Sequence, residues 1–148
     1  LTNSAMYTGL FGAKNPDEPE FGHLVETAVF AQRFHEDARL NYARWGTDDS
    51  EVDLVESSQS LKPVQALEIK WSDRHADQVD SLKGLLKFVG INELPVAWAT
   101  TRSRFAKDKV KGCEIRQWPA AALAFHYGVR AVQGRLAGYE AQIKGITT

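Results

Sequence analysis

The chain has 148 residues, 43% hydrophobic and 25% charged, with a formal net charge of −1, a balance that excludes disordered and fibrous classes. At this length a chain buries roughly two-thirds of the surface its unfolded form exposes, enough for one self-sufficient core. Cys113 is its single cysteine, so neither a disulfide framework nor a thiolate zinc site can form within it.

Residues 3–11 read as a short helix, ended by the Pro- and acid-rich stretch Gly12 to Glu20. A longer helix is expected from about Phe21 to Asp37, with Leu24, Val25, Ala28 and Ala31 along one side and Val29 and Phe30 on another. Apolar residues cover most of its circumference, so it should lie sandwiched between other elements. Three extended segments follow, Leu40 to Trp45, Glu51 to Glu56 and Val64 to Trp71. They are separated by Gly46-Thr47-Asp48-Asp49 and Ser57-Ser58-Gln59-Ser60, both short enough for antiparallel hairpins. An amphipathic helix from about Ala76 to Val89, stopped by Gly90, carries Val79, Leu82, Leu85, Leu86 and Val89 at helical spacing. It leads into the apolar strand Val96 to Thr100, and the pair reads as a crossover returning a parallel strand to the sheet. A last strand, Cys113 to Trp118, precedes an alanine-rich helix opened by Pro119. Val129 to Gly145 is also read as helical, with Gly134 and Gly138 weakening the signal. Trp45, Trp71, Trp98 and Trp118 fall one per strand and read as core.

No run approaches the ~18 apolar residues of a membrane helix, and the first residues show no basic stretch followed by an apolar one, so a secreted protein is not expected. With one cysteine, a reducing, cytoplasmic compartment and no membrane partner are expected. The start at Leu1-Thr2-Asn3, without an initiator methionine, reads as a domain cut from a longer chain. Residues 1–74 hold seven Lys/Arg against thirteen Asp/Glu, and residues 75–148 hold eleven against six. Within the second half Arg102, Arg104, Lys107, Lys109 and Lys111 face only Asp108, an excess suited to the phosphates of a nucleic acid, although a solvated loop is the plainer reading.

Four charged residues fall where the pattern predicts burial. Glu26 lies among Val25, Val29 and Phe30, and Asp53 interrupts Val52-Leu54-Val55. Glu68 and Lys70 share one face of their strand, while Leu67, Ile69 and Trp71 share the other. If the strands are neighbours, Asp53 and Glu68 converge at one edge, with Glu26 presented by a helix. Two carboxylates about 4 Å apart repel by roughly 4 kcal/mol at an effective dielectric of 20. Such a cluster asks for a cation: Lys70 supplies one charge, and Mg²⁺ or Mn²⁺ held by Asp53, Glu68, the carbonyl of Ile69 and Glu26 would neutralise the rest. The expected chemistry is phosphodiester hydrolysis, with Lys70 orienting water or stabilising the phosphate charge. Taken singly, each residue has a structural reading: Glu68 with Lys70 as a surface pair, Asp53 as a strand-edge residue bonded to a nearby hydroxyl, Glu26 paired with Arg33 or His23.

The succession of helical Glu, strand Asp, hairpin, Glu-x-Lys, helix and strand resembles the PD-(D/E)xK superfamily, with its restriction-endonuclease-like α/β core, a central mixed sheet flanked by helices in the order αβββαβ. The segments Gly22-His23-Leu24-Val25-Glu26-Thr27-Ala28-Val29-Phe30, Tyr42-Ala43-Arg44-Trp45, Ser50-Glu51-Val52-Asp53-Leu54-Val55 and Leu67-Glu68-Ile69-Lys70-Trp71-Ser72 look more closely like the uncharacterised C-terminal domain of many bacterial and archaeal P-loop ATPases. The resemblance covers about residues 1–128, with 129–148 as a helical extension. It implies the catalytic set Glu26, Asp53, Glu68 and Lys70, a DNA substrate and an ATP-using module preceding Leu1. Glu51-Val52 stands before Asp53 where the superfamily's name has proline. The alternative is a non-catalytic module for DNA binding or for ATPase assembly and regulation, as a homo-oligomer or otherwise.

Overall fold

The computed structural model describes residues 3–35, 39–46 and 50–146, with side chains as far as Tyr139. Leu1 and Thr2, the expected helix end at 36–37 and the first hairpin turn at 47–49 lie outside the described residues.

Helix α1 (Ser4–Phe11) starts at Asn3, whose Oδ1 accepts from the amides of Ala5 and Met6 at 2.8 and 3.2 Å, satisfying two of the donors that a helix start leaves free. Helix α2 (Phe21–Phe34) buries Val25, Val29 and Arg33. These recur every fourth residue, so one narrow stripe is covered. This corrects the sandwiched helix expected from its apolar circumference: Leu24, Ala28 and Phe30 are only half-buried.

Strands β1 (Leu40–Trp45), β2 (Ser50–Ser57) and β3 (Pro63–Glu68) form the expected antiparallel meander. The third strand stops at Glu68, three residues before its expected end. The predicted helix over 76–89 is divided into α3 (Arg74–Asp77), a 3₁₀ turn (Val79–Ser81) and α4 (Lys83–Asn92). The break follows from Gln78 and Leu82, whose ψ angles of 64° and 51° are not helical and turn Leu82 into the core at 2% exposure. Gly90 does not stop α4; Glu93, in the left-handed region at φ 53°, does.

Strand β4 (Val96–Thr101) pairs parallel to β3, as a crossover requires. Strands β5 (Ala106–Val110) and β6 (Cys113–Pro119) pair antiparallel. Thus half of the basic segment expected as a loop is an edge strand that carries Lys107 and Lys109, while Arg102, Arg104 and Lys111 lie outside it. Helix α5 (Ala120–Ile146) then runs unbroken through Gly128, Gly134 and Gly138.

The result is an α/β domain with a six-stranded mixed sheet in the order β1-β2-β3-β4-β6-β5. One face packs Val52, Val55, Ala66, Ala97, Ala99 and Ile115 against Leu82, Leu85, Phe88 and Val89. The other packs Leu54, Leu67 and Ile69 against Val25 and Val29 of α2 and Leu123 and Tyr127 of α5. Each fully buried aliphatic side chain such as Leu85 contributes about 1.5–3 kcal/mol. The four tryptophans are all half-buried, at the margins of these layers.

Candidate active site

The position of Asp53 is set by a bulge. Asn41 pairs with Val55 and Ala43 with Val52, so Asp53 and Leu54 together stand opposite Tyr42 alone, the two-against-one count that re-aims a side chain. Strand alternation is interrupted there, and Val52 and Val55 both enter the α4 side of the core. Asp53 Oδ2 accepts from the amide of Ile69 at 2.6 Å, which ties it to the end of β3.

Beyond Glu68 the chain leaves the ladder and is held by one buried hydroxyl. Thr100 Oγ1 accepts from the Lys70 amide and donates to the Lys70 carbonyl, each at 2.7 Å. Lys70 then turns back, its Nζ 2.7 Å from Glu68 Oε1. Glu68 is 7% exposed, and its other oxygen, Oε2, is buried without a hydrogen-bond partner. An unsatisfied buried carboxylate oxygen is costly. Asp53, Glu68 and Lys70 therefore meet where β3 ends.

Electrostatics follow from that burial. Desolvation and the neighbouring Asp53 charge push the Glu68 carboxyl up to about 7, against the pull of Lys70. Burial also raises Asp53, offset in part by the Ile69 amide and Lys70. Lys70 is raised because the charges of Glu68, Asp53 and Glu26 outweigh its own desolvation.

Glu26 is a correction to the sequence reading. It is not buried: its side chain is 43% exposed and lies 3.5 Å from His23 Nδ1. The helix stripe that faces the core instead ends in Arg33, which is 5% exposed and pairs with Glu56. Glu26 sits on the rim of a groove of about 340 Å³ lined by Ile69, Lys70, Trp71 and Arg102. The acidic 12–20 loop forms the opposite wall. It is tied down by Trp71 Nε1 donating to the Pro16 carbonyl at 2.8 Å and by Arg102 pairing with Asp17 at 2.8 Å.

Compared with protein-family models, curated proteins and solved structures, the chain gives no match.

The donors around Asp53 and Glu68 are hard oxygens, as Mg²⁺ or Mn²⁺ requires. Among the described residues no three His, Cys, Asp or Glu side chains are grouped to hold an ion. Two carboxylates are in kind and number what Mg²⁺ takes, since it keeps several waters and binds through one or two carboxylates. The orphaned Glu68 Oε2 supplies the position such an ion would satisfy.

The basic residues disperse. Arg102 lines the groove, whereas Arg104 pairs with Asp77 at 2.5 Å and Lys107 with Glu114 at 2.7 Å. Lys109 lies on the edge strand, and Lys111 lines a separate hollow with Glu93 and Cys113. Two positioning residues escaped the sequence reading. Thr100 is fully buried; its signal was a hydroxyl ending an apolar strand. Asp73 accepts from Ser103 N, Ser103 Oγ and Arg104 N at 2.8, 2.7 and 3.2 Å, bonds that hold its carboxyl below the usual range.

Proposed function

We propose that this domain is a metal-dependent phosphodiesterase acting on nucleic acid, DNA foremost, with a restriction-endonuclease-like core. The observation that carries the reading is Glu68: a buried carboxylate with one oxygen on Lys70 and the other unsatisfied, close enough to the half-buried Asp53 to feel its charge. Charges so expensive to bury are poor structural elements, since apolar residues of similar volume are often as stable or more so. Further support comes from the order of α2, the β1–β3 meander, α4 and β4, which is that of the resembled superfamily.

Asp53, Glu68 and the Ile69 carbonyl would hold the ion, with Glu26 at its outer edge. A bound Mg²⁺ or Mn²⁺ supplies Lewis acidity and a more acidic water. Lys70 is fixed by Thr100 through its backbone and by Glu68 through its ammonium. Its charge stabilises what develops on the phosphate, and Arg102 at the groove wall holds the strand in place. The reading takes from the resemblance a P-loop ATPase module on the same polypeptide, which would help retain the substrate on a domain whose net charge is −1.

The test combines melting and cleavage. Mn²⁺ should raise the melting temperature of the wild type and have little effect on Asp53→Asn or Glu68→Gln. Lys70→Ala should lower cleavage of DNA by about a hundredfold or more while keeping the Mn²⁺-dependent shift. Equal metal shifts in wild type and both carboxylate variants would remove the site. A metal shift without cleavage would leave the non-catalytic module.

A further inference from the structure

Helix α5 has two apolar faces and the domain covers one. Ala120, Leu123, Tyr127 and Ala131 are buried, three of them in the cluster that α2 shares. On the opposite side Phe125, Val129, Val132, Leu136 and Tyr139 are exposed, Phe125 to 75% and Leu136 to 57%. Their spacing is four, three, four, three. At 3.6 residues per turn these five side chains stay within an arc of about 80°, the narrow seam of a coiled coil and not the broad stripe of a helix docked on a core. Val129 and Leu136 occupy a positions, and Phe125, Val132 and Tyr139 occupy d positions. The helix continues to Ile146, and in the sequence Ile143 and Ile146 prolong the same register.

From Val132 to Tyr139 every residue is exposed, so the domain contributes no burial to this part of the helix. Gly134 and Gly138 weaken it further, and a Cβ at either would meet nothing within 4 Å, so no packing within the domain requires them. An isolated helix of this length is marginal in water.

We infer that α5 pairs with the α5 of a second copy of this chain as a parallel two-stranded coiled coil. The strict repeat is self-complementary, because a two-fold pair sets a against a and d against d. Charge selects the direction. Arg135 falls at g and Glu140 at the following e, positions that a parallel pair brings together and an antiparallel pair separates. At the base of the seam, a hollow of about 610 Å³ beside Gln32, Ala124, Phe125 and Gly128 leaves space for the partner's first side chains.

Sedimentation equilibrium across micromolar to sub-millimolar chain concentrations tests this. The wild type should show a reversible monomer–dimer equilibrium. The Val132→Asp, Leu136→Asp double variant should remain monomeric, losing helical circular dichroism only from the unpaired end of α5 and keeping the melting transition of the domain, since both positions are exposed. In a Cys113→Ala background, Val132→Cys should form a disulfide-linked dimer on oxidation, because d positions meet in a parallel pair, and Ala137→Cys, at an outward b position, should not. Arg135→Glu should weaken the dimer several-fold and Glu140→Arg in addition should restore it. A wild type that stays monomeric, a dimer insensitive to the double variant, or equal cross-linking at both cysteine positions would overturn the inference.

Discussion

Burial and the nearby Asp53 charge raise the Glu68 carboxyl from 4.5 to about 7, while Lys70 opposes them. A carboxyl whose folded pKa lies above its unfolded value favours the folded state while protonated. That contribution is complete below about 4.5 and is lost as pH rises through about 7. The difference corresponds to roughly 3 kcal/mol. Chemical denaturation of the wild type between pH 4.5 and about 8 should therefore show stability falling with pH, and Glu68→Gln should flatten that fall and be the more stable protein near the alkaline end in metal-free buffer. A variant less stable than wild type at every pH would mean that fixed protein partners already satisfy the carboxylate. Asp53 was legible in the sequence as a charge inside the apolar run Val52-Leu54-Val55, and Glu68 with Lys70 as charges two apart on an apolar segment. The bulge that aims Asp53 was not, since it arises from pairing with Tyr42 across a strand. Glu26 and Arg33 exchanged roles for a related reason. Both lie on α2, but the direction of its buried stripe is decided by the sheet beneath it, and Arg33 can be buried there only because Glu56 is in reach and the Tyr127 ring lies 5.0 Å from its guanidinium.

The approach of α4 to the sheet depends on Gly84. A Cβ there would lie 2.5 Å from the carbonyl oxygen of Glu51, a backbone atom at the start of β2 that cannot swing aside. Gly84→Ala gains helix propensity of roughly 1 kcal/mol but must push α4 away from Val52 and Leu85, and overpacking of this kind costs about 1–3 kcal/mol. The expected outcome is a net loss in melting temperature. An increase would show that α4 shifts freely on the sheet. Because Glu51 is only two residues from Asp53, the same variant should also weaken Mn²⁺ stabilisation if the site is as proposed. Periodicity located this segment and its inward residues: Leu82, Leu85 and Val89 are buried in one cluster, and Val79 and Leu86 pack half-buried against it. It did not reveal the break at Gln78, because the residues on both sides keep helical spacing while the chain between them turns Leu82 inward. Strand β5 was hidden for another reason. Its alternating Lys107 and Lys109, with Lys111 just beyond, are those of an exposed edge, where charge guards against further pairing, and charge without apolar alternation reads as a loop.

Across the whole molecule, charge is organised more by pairing than by sequence neighbourhood. Arg102, Arg104 and Lys107 are each held by a carboxylate, Asp17, Asp77 and Glu114 respectively. Every one of these pairs is at the surface, where such bonds are worth little and exchange readily for a phosphate. Position then distinguishes them. Arg102 lines the groove that holds Glu26 and Lys70 and lies 5.6 Å over the Trp71 ring, whereas Lys111 lines a different hollow beyond the edge strand. If nucleic acid enters the groove, Arg102→Ser should reduce affinity more than Lys109→Ser and Lys111→Ser combined. The triple replacement of Arg102, Arg104 and Lys107 by Ser should weaken binding similarly for all sequences, because phosphate contacts carry no base information. It should also flatten the dependence of log affinity on log salt by about 0.9 for each phosphate contact removed on duplex DNA. Binding titrations at several salt concentrations, with Mn²⁺ present and cleavage blocked by Lys70→Ala, measure both quantities. Equal losses from the groove variant and the distant lysines would mean that overall charge and not the groove governs binding. An unchanged affinity and slope in the triple variant would assign these cations to their carboxylate partners, Arg102 and Arg104 then serving only to fasten the 12–20 loop and the end of α3 to the segment after β4.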